Sequence, residues 1–411
     1  MRKTITILLA TVLLVSFFVS CNNEEIVDNA FTCIITFNGN GADSEEQAQQ
    51  RVSKGIGIDL RGNTFVKDGF DLLWWNTEAD GSGTIYRNGQ HVCLEADLTL
   101  YAQWGHLLSE ESTAWTDGQV YSFDRNLTIA ERITVSGNVT LILPDGYTLT
   151  TAKGITVNEG NSFTVNAIGE GTGTVNAVVP EVDWDDPLAL CAAIGGNNCS
   201  SGSITINGGN VTATSTEFGA AIGGGYHGNG TVTISGGSVT ATSTEYGAAI
   251  GGGNEGNGTV TISGGSVTAT SIEFGAAIGG GWGGSCGAIV INGGNITVSA
   301  SFSGAGIGCG YTGSGGTIII NGGTITAINA YESNSASIGG CYAGSGVDVT
   351  INGGLITTRG GYLSNGIGRG RLGTNDGTLT LGEGVVLQVS SDGSNWSDYD
   401  GSTRQRYMRT I

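Results

Sequence analysis

The sequence predicts an all-β protein built mainly as a right-handed parallel β-helix of about 28-residue coils. Three observations carry this. First, Gly219 to Tyr246 recurs immediately as Gly247 to Phe274 with only four differences. Second, apolar and hydroxyl residues alternate with period two. Val232, Ile234, Val239 and Ala241 share one face, and Thr231, Thr233, Thr240 and Thr242 share the other, which is the periodicity of a strand. Third, the 411 residues include 74 glycines and only 3 prolines, which with a fixed repeat describes strands joined by glycine corners, not collagen.

The N-terminus carries a basic pair, Arg2 and Lys3, then an apolar run from Ile5 to Val19. A membrane span needs about 20 apolar residues, so this run is short for one. It ends Phe18-Val19-Ser20-Cys21. A small residue before a cysteine at this offset resembles the lipobox of bacterial lipoproteins. The resemblance implies a signal peptide over residues 1–20, cleavage before Cys21 and acylation of that cysteine. The plainer alternative is a secretory signal with an incidental cysteine. The following Asn22-Asn23-Glu24-Glu25 resembles the surface-export signal of some Gram-negative lipoproteins. Together these imply a lipid-anchored protein of the outer membrane, exposed at the cell surface, with residues 21–31 as a polar tether.

Residues 32–105 form a separate unit. Alternation at Ile35/Phe37 and Leu98/Leu100/Ala102 predicts strands, and Glu78 to Thr84 supplies turn residues. Thr36-Phe37-Asn38, Gly69-Phe70, Trp75-Asn76-Thr77, Asp80 to Thr84, Tyr86 and Tyr101-Ala102-Gln103-Trp104 together resemble the internalin-type B-repeat of bacterial surface proteins. That resemblance implies a β-grasp-like module acting as spacer or adhesive element, with Trp75 and Trp104 in its core. Cys33 and Cys93 depart from the family pattern, and a bridge between them is one expectation.

The β-helix is expected over 113–390. Aligned on the isoleucine of Ala-Ile-Gly or Gly-Ile-Gly, the coils start at Ile194, Ile222, Ile250, Ile278, Ile307, Ile338 and Ile367. The first steps are 28 residues, and the later ones are 29, 31 and 29, with the extra residues near Ser301-Phe302 and Tyr331-Glu332-Ser333. Stacked at about 4.8 Å, seven coils rise roughly 34 Å and bury an Ile/Val/Ala column that no single coil could bury. The irregular stretch 115–178 is expected to supply the first coils, and Pro180 to Cys191 an excursion. Residues 391–411 break the pattern, gather Arg404, Arg406 and Arg409, and are expected to cap the open end.

Charge narrows the function. The net charge is −20, which argues against nucleic acid as a partner and leaves the lipid anchor as the only membrane contact. Between Gly154 and Thr358 there is no Lys or Arg, so stability there rests on backbone hydrogen bonds and packing. Seven cysteines remain after Cys21, an odd number that cannot all pair, and their spacing matches no metal motif. No cofactor is implied.

The fourth residue after each aligned isoleucine forms a loop-apex column: Asn198, Tyr226, Asn254, Trp282, Tyr311, Tyr342 and Arg371. Tyr226, His227, Asn254, Trp282, Tyr311 and Tyr342 are the candidate glycan-binding residues, because sugar rings pack on aromatic faces and amides or imidazole supply hydrogen bonds. The competing reading has the rings merely covering glycine backbone. A second column, Glu217, Glu245 and Glu273, is each time followed by an aromatic residue. It reads either as solvated corner glutamates or as repelling carboxylates that a Ca²⁺ ion would relieve.

No catalytic residue is identified. A lyase acting on uronates wants cations, which the regular coils from Ile194 lack before Arg359, and a hydrolase wants paired carboxylates where these strands present Thr and Ser. The expectation is therefore an adhesion or glycan-binding surface lipoprotein, with the β-helix as rigid display scaffold and surface glycans or proteins as partners. A β-helix polysaccharide lyase or glycoside hydrolase and a purely structural stalk are the alternatives.

Overall fold

The computed structural model describes residues 32–44, 48–402 and 404–411; Cys21, the signal segment and the tether lie outside these. The regular structure of the described chain is almost entirely strand, with a single-turn 3-10 helix at Pro187–Leu190 inside the expected excursion.

Each repeat folds as one coil of a parallel β-helix with three short strands. In the most faithful copy these are Ile222–Gly223, Gly230–Ile234 and Ser238–Ser243. Each strand pairs in parallel with its twin one coil on, identical residue on identical residue. Ile222 faces Ile250, Val232 faces Val260 and Ala241 faces Ala269. The stacks make a 10-stranded sheet from the Ile-Gly strands and the bodies of a 12-stranded and a 15-stranded sheet. Because side chains alternate across a strand, every second residue points inward. Ile222, Val232, Ile234, Val239, Ala241 and their twins are at most 1 % exposed and form one continuous core. The stretch 114–178 adds coils ahead of Ile194, through Ala114–Trp115, Ile133–Val135 and Ile155–Thr156 in the same sheet.

Two copied features have local causes. The glycine after each isoleucine lies at φ +137° or +138° in the central coils, a conformation that side chains avoid, and a Cβ on Gly251 would run into the carbonyl of Gly279 in the next coil. In three coils the third strand ends on a serine that points inward, and its hydroxyl donates to the corner glycine carbonyl. Ser215 Oγ lies 2.7 Å from Gly219 O, and Ser243 and Ser271 make the same bond at 2.6 Å to Gly247 and Gly275. A buried hydroxyl is thereby satisfied.

The N-terminal module has the predicted β-grasp-like pairing: Thr32–Asn38 runs parallel to Leu98–Leu107 and antiparallel to Ala48–Ser53. Trp75 is buried in its core against Phe37 and Phe65. Trp104 is half-buried at the edge of that core and donates its indole N–H to Gly39 O at 2.8 Å. The module is not a separate bead. Leu98–Leu107 continues into the β-helix by pairing in parallel with Val120–Ser122, so one sheet runs through both units. The expected Cys33–Cys93 bridge is absent: both thiols are free, Cys33 buried and Cys93 exposed. Val92, next to Cys93 on the same short strand, takes the inward position, so alternation turns Cys93 outward.

The C-terminal segment packs on the last coils, where two of its arginines meet backbone carbonyls. Tyr407–Thr410 pairs antiparallel with Leu355–Arg359 and with Leu387–Ser390, and Met408 seals the core fully buried. Arg404 donates to the carbonyls of Asp376 (2.7 Å) and Gly377 (2.8 Å), and Arg406 to Gly360 O (2.8 Å). These guanidinium groups satisfy backbone acceptors that have no further coil to pair with.

Candidate functional site

The loop apex is built by one backbone device. The residue after the apex adopts the left-handed conformation in five regular coils: His227, Glu255, Thr312, Ala343 and Leu372, with φ between 54° and 60°, and Gly283 fills that place after Trp282. The turn aims the apex residue back along the surface. Its N–H then donates to a carbonyl two corners earlier: Asn254 N to Phe218 O, Trp282 N to Tyr246 O and Tyr311 N to Phe274 O, all at 2.8 Å.

Those acceptors belong to the aromatic residues that follow Glu217, Glu245 and Glu273. The two columns read separately in the sequence are therefore one surface. Phe218, Tyr246 and Phe274 stack at 5.1 and 5.4 Å with interplanar angles of 15°. Tyr226 packs edge-on to Phe218 at 5.1 Å, Trp282 lies 5.4 Å from Tyr246, and Tyr311 lies 5.7 Å from Phe274. Tyr311 and Tyr342 continue the ladder, stacked at 5.6 Å and 8°. Trp184, from the excursion, packs on Phe218 and Tyr246 at the other end.

Between the corner leaving the third strand and the loop leaving the Ile-Gly strand, this surface opens into a cleft of about 430 Å³. Its floor and walls are Tyr246, Phe274, Trp282, Tyr311 and Tyr342, closed by Phe302, Ser303, Asn334 and Arg371. Trp282 is 37 % and Phe302 45 % exposed, so apolar ring area is presented to solvent. Phe302, Ser303 and Asn334 come from the segments where the repeat lengthens to 29 and 31 residues. A second cavity of about 390 Å³ adjoins it, lined by Tyr331, Glu332, Asn334, Tyr362 and Arg371.

The candidate residues do not all reach this cleft. Trp282, Tyr311 and Tyr342 line it. Tyr226 sits farther up the ladder, against Phe218 and His227. His227 is engaged by its own twin position: Nδ1 lies 2.8 Å from Glu255 Oε2 in the next coil. Asn254 is only 3 % exposed, with Oδ1 unpartnered, so its amide is not offered at the surface. Phe302, Asn334 and Arg371 belong to the cleft and were not among the candidates. The departures from the 28-residue period were the signal for the first two.

The glutamate column is more covered than a solvated corner, most of all at Glu217. Glu217 is 6 % exposed with Oε2 unpartnered, and Glu245 and Glu273 are half-covered. Burial first, then the charges of Glu245 and Glu181, hold the Glu217 carboxyl above its usual range; Glu245 is raised likewise, by burial and then by Glu273 and Glu181. Among the described residues no group of three or more His, Cys, Asp or Glu is placed to hold a metal ion.

Comparison with known proteins agrees with the two-part architecture. The family model of the Listeria-Bacteroides repeat domain matches residues 34–103. That of the beta helix repeat matches 204–226, 232–254, 260–282, 289–311 and 318–345. A protein of Evansella cellulosilytica described as "Putative Gly-rich membrane protein" is 49 % identical over 43 residues, which cover 10 % of this chain and 5 % of that protein. The chain thus spans a small fraction of that relative's length. No solved structure matches the chain.

Proposed function

We propose that the protein is a lipid-anchored outer-membrane surface protein that binds glycans through the aromatic cleft, with the β-helix as its rigid display scaffold. The observation that carries this is the cleft itself. Rings from successive coils are held at one-coil spacing by backbone hydrogen bonds, partly exposed, beside the amide of Asn334. Apolar faces with a few fixed polar groups are the composition of a saccharide site. Trp282 and Phe302 keep ring area open to solvent, which favours a platform over simple covering of glycine.

The lining groups are aromatic, hydroxyl, amide and guanidinium groups, a set suited to holding a sugar rather than cleaving it. The N-terminal repeat domain, of a type carried by bacterial surface proteins, and the lipobox-like Phe18 to Cys21 support the surface placement. A glycan array tests the reading. The parent protein is expected to bind a subset of oligosaccharides, and Trp282→Ala or Tyr311→Ala to weaken that binding more than about tenfold. No binding by the parent to any oligosaccharide refutes it.

A further inference from the structure

We infer that the cleft takes an acidic oligosaccharide, whose carboxylate or sulfate sits on Arg371; this rests on the glycan-binding reading above. Arg371 occupies the loop-apex position one coil beyond Tyr342, as Tyr342 stands one coil beyond Tyr311. The loops are joined in that order, Thr312 N donating to Tyr342 O at 3.2 Å and Ala343 N to Arg371 O at 3.0 Å. A ring resting on the stacked tyrosines therefore has a guanidinium one coil away, at about 4.8 Å of rise.

Arg371 is exposed, and it is positioned. Its backbone N–H donates to Asn334 O (2.7 Å) and to Ser364 Oγ (3.1 Å), and Nη1 donates to Asn334 Oδ1 at 3.1 Å. No other hydrogen bond from its guanidinium, and no ion pair, forms among the described residues. The neighbouring arginines are already committed. Arg369 is paired with Asp376 at 3.5 Å, Arg406 donates to Gly360 O and lies over the Tyr331 ring, and Arg359 donates to Asn329 O. Arg371 is left with free N–H donors in a planar fork that matches a carboxylate or sulfate in two-point contact.

The charge pattern also gives the ligand a direction. The aromatic cleft has no carboxylate in its lining, whereas the adjoining cavity holds Glu332. The acidic group therefore belongs on the tyrosine side of Arg371.

The test uses the full-length protein on a panel of hexameric uronates and sulfated hexasaccharides, each printed beside its carboxyl-reduced or desulfated counterpart. The parent is expected to bind at least one charged member about tenfold or more tightly than its neutral twin. Arg371→Gln, which keeps a donor for Asn334, is expected to erase that preference, so that charged and neutral twins bind alike; Arg371→Lys keeps part of it. Which pair shows the preference separates carboxylate from sulfate. Equal binding of charged and neutral twins, or a preference that survives in Arg371→Gln, overturns the acidic-ligand inference and leaves the aromatic cleft standing. Binding to no member of either kind overturns both.

Discussion

Replacing Ile250 by Ala tests the claim that the coils are locked to their twins. Ile250 is fully buried, with Ile222 on one side and Ile278 on the other. The substitution removes three carbons, which at about 0.8 kcal/mol per buried CH₂ is about 2.4 kcal/mol of lost transfer energy. The cavity term comes on top, and here it is close to its full value. Ile250 N donates to Ala277 O at 3.0 Å and Ile222 N to Ala249 O at 2.9 Å, so neighbouring backbone cannot close on the void without breaking ladder bonds. We expect a total of about 3–4 kcal/mol, within the usual range for burying an alanine in place of isoleucine. Ile272→Thr is the matched control: Ile272 is 41 % exposed, its twin is Thr244, and the cost should stay within about 0.5 kcal/mol. Urea unfolding followed by far-UV circular dichroism and by tryptophan fluorescence gives both numbers, with coincidence of the two probes as the check on a single transition. A cost below about 1 kcal/mol for Ile250→Ala at unchanged m would mean that the column collapses freely, and the twin-on-twin packing would be wrong.

Three further outcomes follow from the same structure. Gly251→Ala should cost at least about 1–3 kcal/mol from backbone strain, before the clash with Gly279 O is counted, whereas Gly384→Ala, in open space, lacks the clash; thermal melts of both variants compare them. Glu217 and Glu245 have folded-state pKa values above the ordinary carboxylate range, so the native state binds more protons than the unfolded state above about pH 4.5. Stability from these groups is full below the unfolded value and declines as pH rises through the folded values. Glu217→Gln should therefore raise the pH 7 melting temperature by about 1–3 °C and flatten the decline between pH 4.5 and 7; a variant that melts lower at pH 7 contradicts this. Cys21→Ala should abolish incorporation of a clickable palmitate analogue and release the protein from the membrane fraction, and unchanged labelling would remove the lipid anchor from the proposal.

Much of the fold was legible because stacking demands identity. Val232 must land on Val260 and Ile234 on Ile262, so the core writes itself into the sequence at a fixed step. The cleft was legible only in part. Trp282 meets Tyr246, and Tyr311 meets Phe274, at separations of 36 and 37 residues, one coil plus the length of a loop, and no single period marks that sum. The buried state of Asn254 and the pairing of His227 with Glu255 depend on what the next coil places opposite, which a column of aligned residues does not reveal. Arg371 aligned with the tyrosines from the start, but its value as a site depends on Asn334, which only the lengthened coil supplies.

The two copied coils also act as a gauge of reach. They lend the cleft only their last residues, Tyr246 and Phe274, they pair residue for residue, and Trp282 to Arg371 sit beyond them. Gain or loss of one such 28-residue unit would lengthen or shorten the shaft by a single step of about 4.8 Å while keeping every inward contact equivalent. Near-identity of Gly219–Tyr246 and Gly247–Phe274 thus makes the distance of the cleft from the N-terminal end a quantity that whole-coil duplication can adjust.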